Sequence, residues 1–120
     1  MAEIWTVTVF DKLELPEGLD KESYSDLMTQ ESYHEFFNNH FGDIWTCALL
    51  EEEKLAFLVV EENITDIQET SYQYAVIEKY KSGLYPTPEE FYLYKWDGHK
   101  FVRMEDSPLH HIGFQGFTWR

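Results

Sequence analysis

Hydrophobic positions along this chain fall into short runs whose spacing changes from segment to segment, and each spacing predicts an element. In "IWTVTVF" (4–10), Trp5, Val7 and Val9 alternate with Ile4, Thr6, Thr8 and Phe10, a β-branched and aromatic pattern that predicts a strand with one largely apolar face. The turn "LPEG" ends it, and Asp20 is placed to cap a short helix running to Met28. Tyr33, Phe36, Phe37, His40 and Phe41 recur at i, i+3, i+4, i+7 and i+8. They predict a second helix that starts at Thr29 or Ser32, with Ser32 and Glu35 at capping-box spacing and Gly42 as its stop.

"DIWTCALL" (43–50) and "KLAFLVVE" (54–61) read as the two strands of a hairpin joined by "EEE". Capping-box spacing of Asp66 with Glu69, or of Thr65 with Gln68, favours a helix from 66 to about 82, although Tyr72, Tyr74 and Val76 also alternate as a strand would. "LYPTPEE" (84–90) reads as a loop held extended by Pro86 and Pro88. "EFYLYKWDGHKFVRM" is the strongest local signal, two β-rich runs around Asp97-Gly98, a pair that accepts the positive φ of a hairpin turn. A last strand is expected in "IGFQGFTW" (112–119). Together these elements predict a single α+β domain over residues 1–120: an antiparallel sheet of about five to six strands built from hairpins, with two to three helices packed on it. Phe36, Phe37, Phe57 and Val59 are the expected core positions.

Composition narrows the class. The 120 residues are long enough to bury a core without disulfides or metal, and with 43% hydrophobic residues the chain has too much to bury to remain disordered at a formal charge of -14. Its longest apolar run is the six residues 55–60, far short of the ~20 that cross a bilayer. "MAEIWTVTVFDK" lacks the basic start of a signal peptide, and the single cysteine, Cys47, has no intrachain partner, so a reducing cytoplasm is the expected location.

Charge changes the picture most. Residues 1–70 hold 17 acidic and 3 basic residues, whereas residues 71–120 hold 6 of each, so all of the excess lies in the first part. Such asymmetry points to an interaction surface. Glutamates flanking an apolar strand also protect it from aggregation, which accounts for part of Glu51, Glu52, Glu53, Glu61 and Glu62. Acids near helix N-termini are favoured by the dipole, which accounts for part of Asp20, Glu22, Glu31 and Asp66. Like-charge pairs at i, i+4 (Glu22 with Asp26, Glu31 with Glu35, Glu62 with Asp66) nevertheless each cost a helix about 0.2 to 0.5 kcal/mol.

The acidic surface expected from this pattern comprises Asp26, Glu31, Glu35, Glu51, Glu52, Glu53, Glu61, Glu62 and Asp66. Carboxylates recurring every ~6.6 Å along one face of a strand would approximate the spacing of nucleic-acid phosphates. The expected function is therefore a non-enzymatic interaction protein that binds and inhibits a basic, nucleic-acid-handling partner such as a nuclease, toxin or DNA-binding effector. Direct nucleic-acid binding and membrane association are not expected.

Most of the 21 aromatics suit a core or cross-strand role. Tyr85, Tyr92, Tyr94, Trp96 and Trp119 form a second expected interface, for self-association or a protein partner. An aromatic cleft within residues 72–119 that binds a small molecule or peptide is the alternative reading, and a small enzyme without a recognisable motif is another. Few parts for catalysis are present. His34 and His40 do not share a helical face, His110 and His111 would point to opposite sides of a strand, and His99 falls in the predicted turn. No Cys/His zinc spacing, phosphate loop or calcium loop occurs, so no metal or cofactor is expected. Cys47, in an apolar run, suits a small core residue better than a nucleophile.

Overall fold

A computed structural model describes residues 3–14, 39–63, 72–81 and 88–105. These residues form strands β1 (Glu3–Phe10), β2 (Ile44–Leu50), β3 (Tyr74–Lys81), β4 (Pro88–Trp96) and β5 (Phe101–Met104), with helix α1 (Glu53–Glu61) between β2 and β3. The strands make one five-stranded sheet in the order β2-β1-β3-β4-β5, antiparallel at every pairing. The helices expected at 20–28 and over most of 29–41, the strand expected at 112–119, and the core positions Phe36 and Phe37 lie outside the described residues.

The centre of the sheet is buried on both faces. Trp5, Val7 and Val9 of β1 and Ala75 and Ile77 of β3 lie on one face, against Ala56, Val59 and Val60 of α1. On the other face Thr6, Thr8, Phe10, Val76, Glu78, Tyr80 and Leu93 are also buried. Phe10 stacks on Tyr74 at 5.1 Å between centroids and meets Phe41 edge-on at 5.3 Å. Register places Val7 opposite Ile77 and Thr6 opposite Glu78, so the two faces stay in phase from strand to strand.

Three expectations are corrected. The segment read as a second hairpin strand is α1. Ala56, Val59 and Val60 stand at i, i+3 and i+4, the stripe a helix buries. Adjacent Val59 and Val60 both face the sheet, which a strand could not arrange. "EEE" is therefore the entry to a helix and not a hairpin turn, and Asn63 beyond its end adopts φ +48°, with its N–H on the Val60 carbonyl.

Of the segment expected to be helical from 66 to about 82, residues 66–71 and 82 lie outside the described residues, and 74–81 instead form β3. As the middle strand of the sheet it is buried on both faces, so its pattern lacks clean alternation, and ladders to β1 and β4 override the weak helical signal. Pro88, Glu89 and Glu90, expected in a loop, begin β4; Pro88 occupies the first strand position, where no ladder donor is required. The register shifts there, since Lys79 pairs with Glu90 and Tyr80 with Pro88, which leaves Glu89 as the extra residue.

β1, β2, the β4–β5 hairpin and the stop at Gly42 agree with the expectations. β1 and β2 form where alternation placed them. The β4–β5 hairpin closes over residues 97–100, with the Asp97 N–H on the Lys100 carbonyl at 3.0 Å and Gly98 at φ +106°. Residues 39–40 are helical, Phe41 is buried, and Gly42 reverses the chain at φ +73°, the left-handed geometry expected of a stop.

Candidate interaction surface

α1 carries the acidic surface at its two ends. Glu51, Glu52 and Glu53 enter the helix and Glu61 and Glu62 leave it, and all five are exposed. Glu53 and Glu61 are eight residues apart, about 12 Å along the axis at ~1.5 Å per residue. The evenly spaced carboxylate ladder expected of a strand is thus replaced by two clusters.

The clusters differ energetically. The first sits at the positive end of the helix dipole, where acids are favoured; the second sits at the negative end, where they are not, and the last turn has no basic residue. Glu61 has a compensating partner, because the hydroxyl of Tyr94 donates to its Oε2 at 2.6 Å. Burial, and then the Glu61 carboxylate, hold the Tyr94 phenol well above its ordinary pKa, so it remains a donor.

Salt bridges among the described residues gather elsewhere. Lys79 contacts Glu3 (3.4 Å), Glu89 (3.8 Å) and Glu90 (3.2 Å), Lys81 contacts Glu89 (3.2 Å), and Lys12 contacts Glu14 (3.5 Å). Tyr92 also donates to Glu90, and this bond, followed by Lys79, lowers the Glu90 pKa below the usual carboxylate value. None of Glu51, Glu52, Glu53, Glu61 and Glu62 forms a salt bridge among the described residues. Of the other residues expected on the acidic surface, Asp26, Glu31, Glu35 and Asp66 lie outside the described residues.

The second expected interface is not assembled as an exposed patch. Tyr94 is only 1% exposed and packs within the core beneath α1. Tyr92 and Trp96 are half-buried: Tyr92 meets Phe57 edge-on at 5.1 Å, and Trp96 meets Phe101 in the same way at 5.1 Å. The physical reason is register, which turns Tyr92, Tyr94 and Trp96 toward the face that α1 covers. Tyr85 and Trp119 are outside the described residues. Among the described residues, the large apolar side chains that reach solvent are Trp45, Leu49, Leu55 and Val102, with Leu49 the most open at 65%.

Cys47 is half-buried in a β-bulge of β2, and burial pushes its thiol up to about 11. The bulge restores Thr46 opposite Thr8, where their hydroxyls share a buried hydrogen bond of 3.0 Å. His40 Nδ1 donates to the Glu14 carbonyl at 2.8 Å. Among the described residues no group of three or more His, Cys, Asp or Glu side chains is placed to hold a metal ion, and no helix is long and apolar enough to cross a membrane.

Two features escaped sequence reasoning. One is a recess of about 280 Å³ at the C-terminal end of α1, lined by Glu61, Tyr94, Lys100, Phe101, Val102 and Arg103. The other is the placement of Arg103, directly opposite Tyr94 across the hairpin, with its guanidinium 4.3 Å from the centre of the Tyr92 ring. The hairpin signal and its alternation put Arg103 on the same face as Tyr92 and Tyr94, but only the fold brings Glu61 there. No protein-family model, curated protein or solved structure matches this chain.

Proposed function

We propose that this is a non-enzymatic acidic protein of the cytoplasm that binds and inhibits a basic, nucleic-acid-handling protein, its carboxylates occupying a groove that otherwise takes phosphates. The observation that supports this reading is the pair of exposed glutamate clusters at the two ends of α1, unneutralised among the described residues while Lys79 and Lys81 pair with Glu3, Glu89 and Glu90. Two clusters about 12 Å apart on a rigid helix suit bridging two basic patches of a groove better than tracking one strand phosphate by phosphate. The fuller architecture of this reading retains two to three helices and a sixth strand, with Asp26, Glu31, Glu35 and Asp66 extending the negative surface.

Binding of this kind is steered by charge and screened by salt. The test is capture of a partner from the native cell's lysate by the purified protein. A basic nucleic-acid-handling protein should be retained at low salt, then released by about 0.5 M salt or by competing DNA, where the Debye length is only a few Å. Reversing Glu51, Glu52 and Glu53 to lysine should abolish retention. A partner indifferent to salt, to DNA and to this triple reversal would overturn the proposal.

A further inference from the structure

We infer that the recess between the C-terminal end of α1 and the β4–β5 hairpin is a binding site for a small zwitterion of the α-amino-acid type, whose ammonium group meets Glu61 and whose carboxylate meets Arg103 and Lys100. The site shares Glu61 with the acidic surface proposed above but does not rest on that proposal, since its other groups, Tyr94, Lys100, Phe101 and Arg103, lie outside that surface. Its groups come from separate parts of the chain: Glu61 from the helix end, Tyr94 from β4, Lys100 from the turn, and Phe101 and Arg103 from β5.

Each group is held in a state suited to this ligand. Tyr94 is almost wholly buried, yet its hydroxyl reaches the recess and donates to Glu61 Oε2, which fixes the carboxylate and leaves Oε1 for an ammonium donor. The Arg103 guanidinium lies 4.3 Å from the centre of the Tyr92 ring, a contact that restrains it without using the N–H groups that would bind a carboxylate. Asp97, the acid nearest in sequence to Lys100, is engaged with the backbone: its Oδ1 accepts the N–H groups of His99 (2.8 Å) and Lys100 (2.9 Å).

Charge bookkeeping supplies the direction. In a chain of 23 acidic and 9 basic residues, Lys79 and Lys81 are neutralised by glutamates, whereas Lys54, Lys95, Lys100 and Arg103 have no such pairing among the described residues. Lys100 and Arg103 line one recess and neither forms a salt bridge among the described residues. Two cations against one carboxylate leave the recess one positive charge in excess, which selects for a carboxylate on the ligand. Glu61, which also lines the recess, selects for an ammonium beside it. Phe101 offers an apolar floor, and a volume of about 280 Å³ accommodates an occupant of amino-acid size.

The experiment is an amide-shift titration of the full-length ¹⁵N-labelled chain with L-leucine, 4-methylpentanoate, which lacks the ammonium, and 3-methylbutylamine, which lacks the carboxylate. L-Leucine should give saturable shifts at residues 61 and 100–103 with a dissociation constant on the order of 1 mM, and each analogue should bind at least about tenfold more weakly. The double variant K100Q/R103Q, altered only at exposed side chains, should keep the remaining spectrum and lose the L-leucine response. Absence of saturable shifts, an equal response to all three compounds, or undiminished binding by the double variant would each overturn the assignment.

Discussion

The helical reading of residues 53–61 makes a prediction about two neighbours. Val59 and Val60 are 4% and 0% exposed, both against the sheet, whereas Leu55 is 37% exposed. Truncating either valine to alanine removes about two buried methylene equivalents, ~1.6 kcal/mol of transfer free energy, and adds a cavity cost because the rigid sheet beneath relaxes only in part. Alanine returns ~0.5 kcal/mol through its better helix propensity, so each variant should lose about 2 kcal/mol. Leu55→Ala gives up contacts that are already partly open to water and gains the same propensity, so it should cost less than about 1 kcal/mol.

Urea unfolding of the full-length chain, followed by tryptophan fluorescence, reads these differences directly. With a slope of about 1 to 3 kcal/mol per molar, each valine variant should lower the midpoint by about 1 M while leaving the slope unchanged. A strand would put Leu55 and Val59 on one face and Val60 on the other, so that one of the two valines would be exposed. A negligible cost for either valine variant, or a Leu55→Ala cost equal to theirs, would refute the packing described here.

Further predictions concern the turns and the thiol. Gly42→Ala should destabilise by roughly 1 to 2 kcal/mol in the same assay, because at φ +73° its new Cβ would lie 2.9 Å from the Asp11 Cβ; a neutral effect would show that this connection readily shifts. Asp97 is held below its usual pKa first by the Lys100 N–H and then by the His99 N–H. A lowered folded pKa contributes stability that is present above the unfolded value of 3.8 and lost as pH falls through the folded value. The melting-temperature advantage of the native protein over Asp97→Asn should therefore be present at neutral pH and shrink below pH 3.8, and a pH-independent difference would contradict it. Cys47, raised from 9.0 to about 11, should react with a disulfide reagent at pH 8 roughly a hundredfold more slowly in the folded chain than in denaturant; equal rates would place the thiol in solvent.

What could be read from the sequence was local. β1, β2, the β4–β5 hairpin and the stop at Gly42 follow from alternation between neighbours, Asp-Gly turn chemistry and glycine's tolerance of positive φ, each settled within a few residues. The acidic excess is likewise a property of composition, and the exposure of Glu51, Glu52, Glu53, Glu61 and Glu62 follows from the cost of burying a carboxylate. Two signals for α1 were also present, the 56, 59, 60 spacing and Asn63 at its end, but six consecutive apolar residues with two valines match a buried strand equally well. Only the sheet, by offering a face to one stripe, decides between them.

Tertiary structure alone decided that Tyr74–Lys81 is a strand, because a segment buried on both faces has no periodicity of its own and is specified by the ladders on either side. It alone turned Tyr94 from a candidate interface anchor into a buried donor, since the covered face is chosen by where α1 packs. The recess joining Glu61 to Tyr94 and Arg103 has the same origin. Its groups are separated by as many as 42 residues, and no pattern shorter than the fold brings the end of a helix over a hairpin.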